Sequence, residues 1–138
     1  MATFTKFQPF VENLAEKVHN LGSDSLAVAL TNTAPTAGLA TLSQITEISY
    51  TNCSARAITT SSSAQTSGTY KLVLDDLTLT ASGGTVGPFR YVVIYNDTPT
   101  SPADPLIGYY DYGSSITLND TETLLIDFDG TNGLLQLA

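Results

Sequence analysis

The chain has 138 residues and carries thirteen acidic against five basic side chains, a net charge of −8. Hydrophobic residues make up 42%, with seven Tyr, five Phe and no Trp, while charged residues reach only 13%, about half the usual ~25%. Five scattered cations exclude a phosphate-tracking stripe, and with it direct binding to nucleic acid or to anionic membrane. From the N-terminus, Thr5 to Leu21 reads as the one helix, because Phe7, Phe10, Val11, Leu14, Val18 and Leu21 recur at offsets of three and four. Thr5 and Gln8 have capping-box spacing, Pro9 falls in the first turn, and Gly22 suits the C′ position with Lys17 and His19 in the last turns.

Leu26 to Asn32 alternates Leu, Val and Leu against small residues and predicts a first strand. Residues 33–38 read as a loop, Thr41 to Ile48 as a short helical turn, and Ala55 to Thr60 as a weak strand. The Ser/Thr run from Thr59 to Thr69 reads as an exposed, mobile loop ending at Gly68. Tyr70 to Leu74 and Leu77 to Ala81 alternate as strands, with Asp75-Asp76 read as a hairpin turn between them. After the Gly83-Gly84 turn comes the most strand-like segment, Phe89 to Tyr95. Phe89, Tyr91, Val93 and Tyr95 fall on one face and Arg90, Val92 and Ile94 on the other, so this strand should be central and covered on both sides. Residues 96–105, with three prolines, form a long connection. Leu106 to Tyr112, Ser115 to Leu118, Glu122 to Asp129 and Leu134 to Ala138 complete the strands. Between 106 and 112, Ile107, Tyr109 and Asp111 are expected on one side and Leu106, Tyr110 and Tyr112 on the other.

About eight short strands after a single helix indicate a mainly β chain, an antiparallel β-sandwich of jelly-roll-like kind rather than a βαβ sheet. The expected organisation is an N-terminal helix or arm at 1–22 and a β-sandwich domain at 23–138. No apolar run has signal-peptide length, and none approaches the ~20 residues that span a bilayer, so folding in a reducing cytoplasm is expected.

No catalytic constellation is visible, and an enzyme is not expected. His19 is the only histidine and reads as a helix-end residue. Cys53 is the only cysteine, which rules out an intramolecular disulfide or a cysteine metal cluster, and no base is indicated beside it. Asp111 lies between Tyr110 and Tyr112, a pattern that suits sugar stacking but is more often packing. The segment Asp127-Phe-Asp129-Gly-Thr-Asn132-Gly133 resembles a calcium loop, yet its glycine sits one place late and Ala138 stands where a bidentate Glu is needed. It reads as a turn, and neither metal nor cofactor is expected.

Taken end to end, the chain resembles a family of small tailed-bacteriophage virion structural proteins. The matching stretches are Phe-Val-Glu-Asn-Leu-Ala-Glu-Lys-Val-His-Asn-Leu-Gly at 10–22, Leu-Thr-Asn-Thr-Ala-Pro at 30–35, Ile-Thr-Glu-Ile at 45–48 and Ser-Ala-Gln-Thr-Ser-Gly-Thr-Tyr-Lys-Leu at 63–72. They continue in Gly-Pro-Phe-Arg-Tyr at 87–91, Gly-Ser-Ser-Ile-Thr-Leu at 113–118 and Asp-Phe-Asp-Gly-Thr-Asn-Gly at 127–133. The resemblance implies a non-enzymatic part of the particle, most simply a capsid decoration or cement protein. Its expected partners are the major capsid protein or other virion proteins, in a homo-oligomer, trimer or dimer, located in the virion after assembly in the bacterial cytoplasm. A tail or fibre module that binds a host-surface glycan is the alternative.

Two roles are open to the N-terminal helix, a lid over one end of the sheets or an arm on a neighbouring subunit. Phe4, Phe7 and Phe10 together present more aromatic area than a short lid needs, so they are taken as interface residues along with Tyr109, Tyr110 and Tyr112.

Overall fold

The computed structural model describes residues 2–138. In chain order its elements are β1 (Phe4–Lys6), α1 (Gln8–Ala15), β2 (Leu26–Thr31), a 3-10 turn (Leu42–Gln44), β3 (Ala57–Ile58), β4 (Thr60–Thr66), β5 (Thr69–Leu74), β6 (Leu77–Thr80), β7 (Val86–Asn96), β8 (Leu106–Leu118), β9 (Thr123–Ile126) and β10 (Leu135–Leu137). The chain is mainly β, paired antiparallel, with one α-helix among the described residues. A five-stranded sheet runs β1-β8-β7-β2-β3, a three-stranded sheet β10-β5-β4, and β6 pairs with β9.

The apolar content of β2 and β7 puts them in the middle. Every residue of β2 is buried, and β7 lies between β2 and β8. One face of this sheet carries Leu26, Val28, Leu30, Val92 and Ile94, which pack with Leu72 and Leu74 of β5, Leu79 of β6 and Ile126 of β9. The opposite face carries Ala27, Ala29, Val93 and Tyr95, covered by Phe7, Leu39, Leu42 and Ile45. The expected cover on both sides of the central strand is therefore present.

Two side-chain assignments change face. Phe89 joins Val92 and Ile94 instead of Val93 and Tyr95. The reason is a register break: Phe89 faces Ile116 while Tyr91 faces Asp111, so Tyr112–Ser115 of β8 bulge opposite Arg90 alone. The irregularity takes in Arg90 of β7 as well, so the alternation that a period of two assumes does not carry across it. On β8, Leu106 shares its face with Tyr109, and Ile107 with Tyr110. There Ile94 opposes Gly108 and Tyr95 opposes Leu106, leaving Ile107 as the extra residue.

The helix is shorter than the apolar spacing implied. Thr5 does not cap it; Thr5 lies in β1 opposite Tyr109, and the N-cap is Phe7, which makes no side-chain cap bond. The helix ends at Ala15, and Lys17, at φ 70°, turns the chain before Gly22 is reached. Val18 and Leu21 therefore sit beyond a reversal, not on a helical stripe.

The Ser/Thr run is also ordered. Thr60–Thr66 is an edge strand paired with β5 through the two-residue turn Ser67-Gly68, at φ 51° and 85°. Positive φ at both turn residues is the hairpin geometry that suits right-handed strand twist. Asp75-Asp76 is not a hairpin turn, since β5 and β6 belong to different sheets; Asp76 Oδ1 accepts the Phe128 amide at 2.8 Å.

Beyond its short pairing with β3, the outer edge of β2 is closed by the segment 47–56. Val28 N–H donates to the Arg56 carbonyl and Arg56 Nη1 donates to the Val28 carbonyl at 2.6 Å. Leu30 N–H donates to Tyr50 Oη at 2.9 Å, and that hydroxyl donates to Glu47 at 2.7 Å. The Arg56 guanidinium lies 3.6 Å from the Tyr50 ring centroid. An open sheet edge templates aggregation, and here backbone and side chains of 47–56 together satisfy its polar groups.

Candidate interaction site

The N-terminal aromatics divide according to the elements that hold them. β1 adds to the edge of β8, with Phe4 opposite Tyr110 and Lys6 opposite Gly108. The half-buried Phe4 ring lies over Gly108, where a Cβ would overlap it, and 5.6 Å from the Tyr110 ring. Phe7 is 0% exposed and packs 5.3 Å from Tyr109; Phe10 is buried on the other side of the sheet against His19. Phe7 and Phe10 thus belong to the chain's own core and form no exposed patch, because the turn from β1 into α1 drives one ring onto each face.

The tyrosines remain nearer the surface. Tyr109 is half-buried beside Phe7 and Tyr91. Tyr110 is half-buried on the other face, and Tyr112 rides on the bulge of β8. Asp111 anchors that bulge: Arg90 Nε and Nη2 donate to its two oxygens at 2.8 and 3.0 Å, and Gly113 N–H donates to Oδ1 at 2.8 Å. The Arg90 contact, followed by the Gly113 amide, holds the Asp111 carboxyl below the usual range. Asp111 is therefore a structural anchor for the strand that presents Tyr112.

Between this part of β8 and β9 lies an apolar groove of about 380 Å³. Tyr110 and Tyr112 form one wall, Leu124 to Asp127 the other, with Val92 and Ala2 completing it. Tyr112 is 54% exposed and Leu125 56%, two of the most exposed large apolar side chains. Burial, then the nearby Asp129 and Asp127 carboxylates, pushes the Tyr110 hydroxyl up to about 12, so it stays a neutral donor at the acidic rim. Leu125 was not among the expected site residues. Its signal was present, since it is the only large apolar residue on the outward side of its strand.

The remaining candidates are accounted for locally. His19 is not at a helix end: it is 5% exposed, and its Nδ1 lies 3.1 Å from Asn96 Nδ2. Its Nε2 is buried and has no hydrogen-bond partner among the described residues. Cys53 is half-buried, and burial pushes its thiol up, partly opposed by Arg56. Asp129 accepts the Thr131 and Asn132 amides at 2.8 Å and the Asn132 side chain at 2.9 Å, closing its own turn. Those Asn132 bonds, then the Thr131 amide, hold it below the usual range. Among the described residues no group of three His, Cys, Asp or Glu could hold a metal ion, and no helix is long and apolar enough to cross a membrane. No family model, curated protein or solved structure matches this chain.

Proposed function

We propose that this chain is a non-enzymatic structural protein of a tailed-bacteriophage virion, a decoration protein that binds the capsid shell through the groove between β8 and β9. The observation that carries the reading is the exposed pair Tyr112 and Leu125, brought to one apolar groove by a bulged strand and the short β9. Exposed apolar surface rimmed by polar groups marks a contact site. Asp127 at the rim favours a partner segment that offers an apolar side chain flanked by Lys or Arg, supplied by the major capsid protein. Net charge of −8 keeps the free protein soluble and off packaged DNA. Many copies on a symmetric lattice, or a trimer or dimer of this chain, supply avidity, so modest affinity per groove suffices.

In this reading the five-stranded sheet and the β5, β6 and β9 strands are the two leaves of a jelly-roll-like sandwich. The protein folds in the host cytoplasm and resides in the virion. The glycan-binding alternative draws on the same Tyr112 and Asp127, since an aromatic face beside a carboxylate suits a sugar ring. Leu124 and Leu125 favour a protein partner over a glycan.

Leu125→Asp decides between them. Mixed with purified undecorated particles, the variant is expected to lose binding while keeping its circular dichroism and melting temperature. Binding at wild-type occupancy would sink the groove as the contact. Saturable binding to host glycan, lost in Tyr112→Ala, would replace the capsid reading with the tail one.

A further inference from the structure

We propose that His19, Asn96 and Asp24 form a pH-sensitive latch that holds the connector 16–25 onto the end of β7 at neutral pH and releases it on acidification. The connector joins α1 to β2, and Asn96, which is fully buried, ends β7. The Asn96 side chain can be oriented from its partners. Its Oδ1 accepts the Thr98 amide at 3.1 Å, and its Nδ2 donates to Asp24 Oδ2 at 2.6 Å. The second Nδ2 hydrogen then points to His19 Nδ1 at 3.1 Å, so Nδ1 accepts and the proton of the neutral imidazole sits on Nε2. Asp24 Oδ2 also accepts the Asn20 amide at 2.8 Å, and Asp97 N–H donates to the Ser25 carbonyl at 2.8 Å, so both flanks of the connector depend on this junction.

A second proton on His19 would set N–H against N–H at that contact. The Asn96 side-chain oxygen is already bonded to the Thr98 amide, so the side chain as oriented offers no acceptor in its place. The groups facing His19 offer little compensation. From α1 come Phe10, at 5.0 Å between ring centroids, and Leu14; from β5 comes Tyr70 and from β10 Leu137. The connector itself contributes Lys17, Asn20, Leu21 and Asp24. Lys17 lines the same pocket and offers no negative charge, and the carboxylate of Asp24, which is hydrogen-bonded to the Asn96 amide and not to the ring, is the one charge that favours an imidazolium. Nε2 is buried and unpartnered among the described residues, so the charged form would carry two unmet donors.

Burial lowers the His19 pKa from 6.5, and Asp24 only partly opposes this. A folded value below the unfolded one means that the unfolded chain takes the proton first. Stability from this group is therefore complete well above about 6.5, declines as pH falls below it, and stops declining once the folded imidazole titrates. Release of the connector uncovers Leu21 and the side of the Phe10 ring that packs on His19, both buried in the folded chain.

Because His19 is the only histidine, the full-length chain gives a single imidazole signal in an NMR titration from pH 8 to pH 5. The expected midpoint lies below that of free histidine, with the Asn96 side-chain amide and the Asn20 and Asp24 backbone amides moving at the same midpoint. Hydrogen-exchange protection factors are expected to fall in 16–25 while β2 and β7 keep theirs. His19→Phe, which keeps a ring and removes the titration, should lose less urea stability over this interval than the wild type. A midpoint at the free-histidine value with an unmoved Asn96 amide would overturn the latch. So would a His19→Phe variant whose stability falls as steeply as the wild type's. If that variant does not fold, the wild-type titration and exchange data decide alone.

Discussion

Phe7→Ala separates a core aromatic from an interface aromatic. The ring is fully buried with Ala27, Ala29, Ile45, Val93, Tyr95 and Leu106, and packs tilted against Tyr109 at 5.3 Å between centroids. Removing a buried phenyl ring costs about 3–5 kcal/mol, the sum of lost transfer energy and the cavity left behind. The segment cannot easily collapse into that cavity, because the Phe7 amide is tied to the Ile107 carbonyl at 3.0 Å and the Gln8 amide to the Ala37 carbonyl at 2.8 Å. With a urea slope of about 2 kcal/mol/M, the unfolding midpoint should fall by roughly 2 M. That is a large part of the total stability of about 5–15 kcal/mol expected of a domain. Phe4→Ala, at a half-buried ring, should cost about 1–2 kcal/mol. The assay is urea denaturation followed by tyrosine fluorescence and far-UV circular dichroism. A Phe7→Ala midpoint within error of the wild type, together with lost partner binding, would show that the N-terminal aromatics serve an interface and that their burial has been misread.

Gly68→Val tests the β4–β5 hairpin. At φ 85° a β-branched residue is strained by about 1–2 kcal/mol, so the urea midpoint should drop and exchange protection in 60–74 should weaken. Unchanged protection there would mean that the Ser/Thr strand is not held by this turn. Arg56→Ala removes the donor to the Val28 carbonyl and the cation over Tyr50, a loss of about 1–3 kcal/mol. The same variant should aggregate faster at high concentration, because the β2 edge is uncovered; light scattering over time reads this, and equal rates would argue against edge protection.

The central strand β7 was readable in the sequence because burial on both faces demands apolar residues, as from Val92 to Tyr95, whereas residues 26–32 were readable as a strand but not as one buried on both faces. Bulges were not readable. No local residue signal marks Ile107 as an extra residue, or sets four residues of β8 against Arg90, so faces assigned by alternation failed at Phe89 and Ile107. Spacing overextended α1 for a related reason: Leu21 faces the core after a turn at Lys17 as readily as it would on a helix. β4 went unseen because both its faces are largely exposed, leaving no hydrophobic period, although Ser67-Gly68 was a legible turn signal. The groove was half legible. Tyr110 and Tyr112 stood out by composition, while their position opposite Leu125 depends on pairings distant in sequence. His19 meets Asn96 across 77 residues, a contact that only the fold reveals.

The position of the protein in a reconstructed phage particle at moderate resolution tests the central claim most directly. The account predicts copies in a regular lattice on the capsid shell, each with Tyr112 and Leu125 turned toward the shell protein. Density confined to the tail, or shell-bound copies whose β8–β9 groove faces solvent, would contradict it.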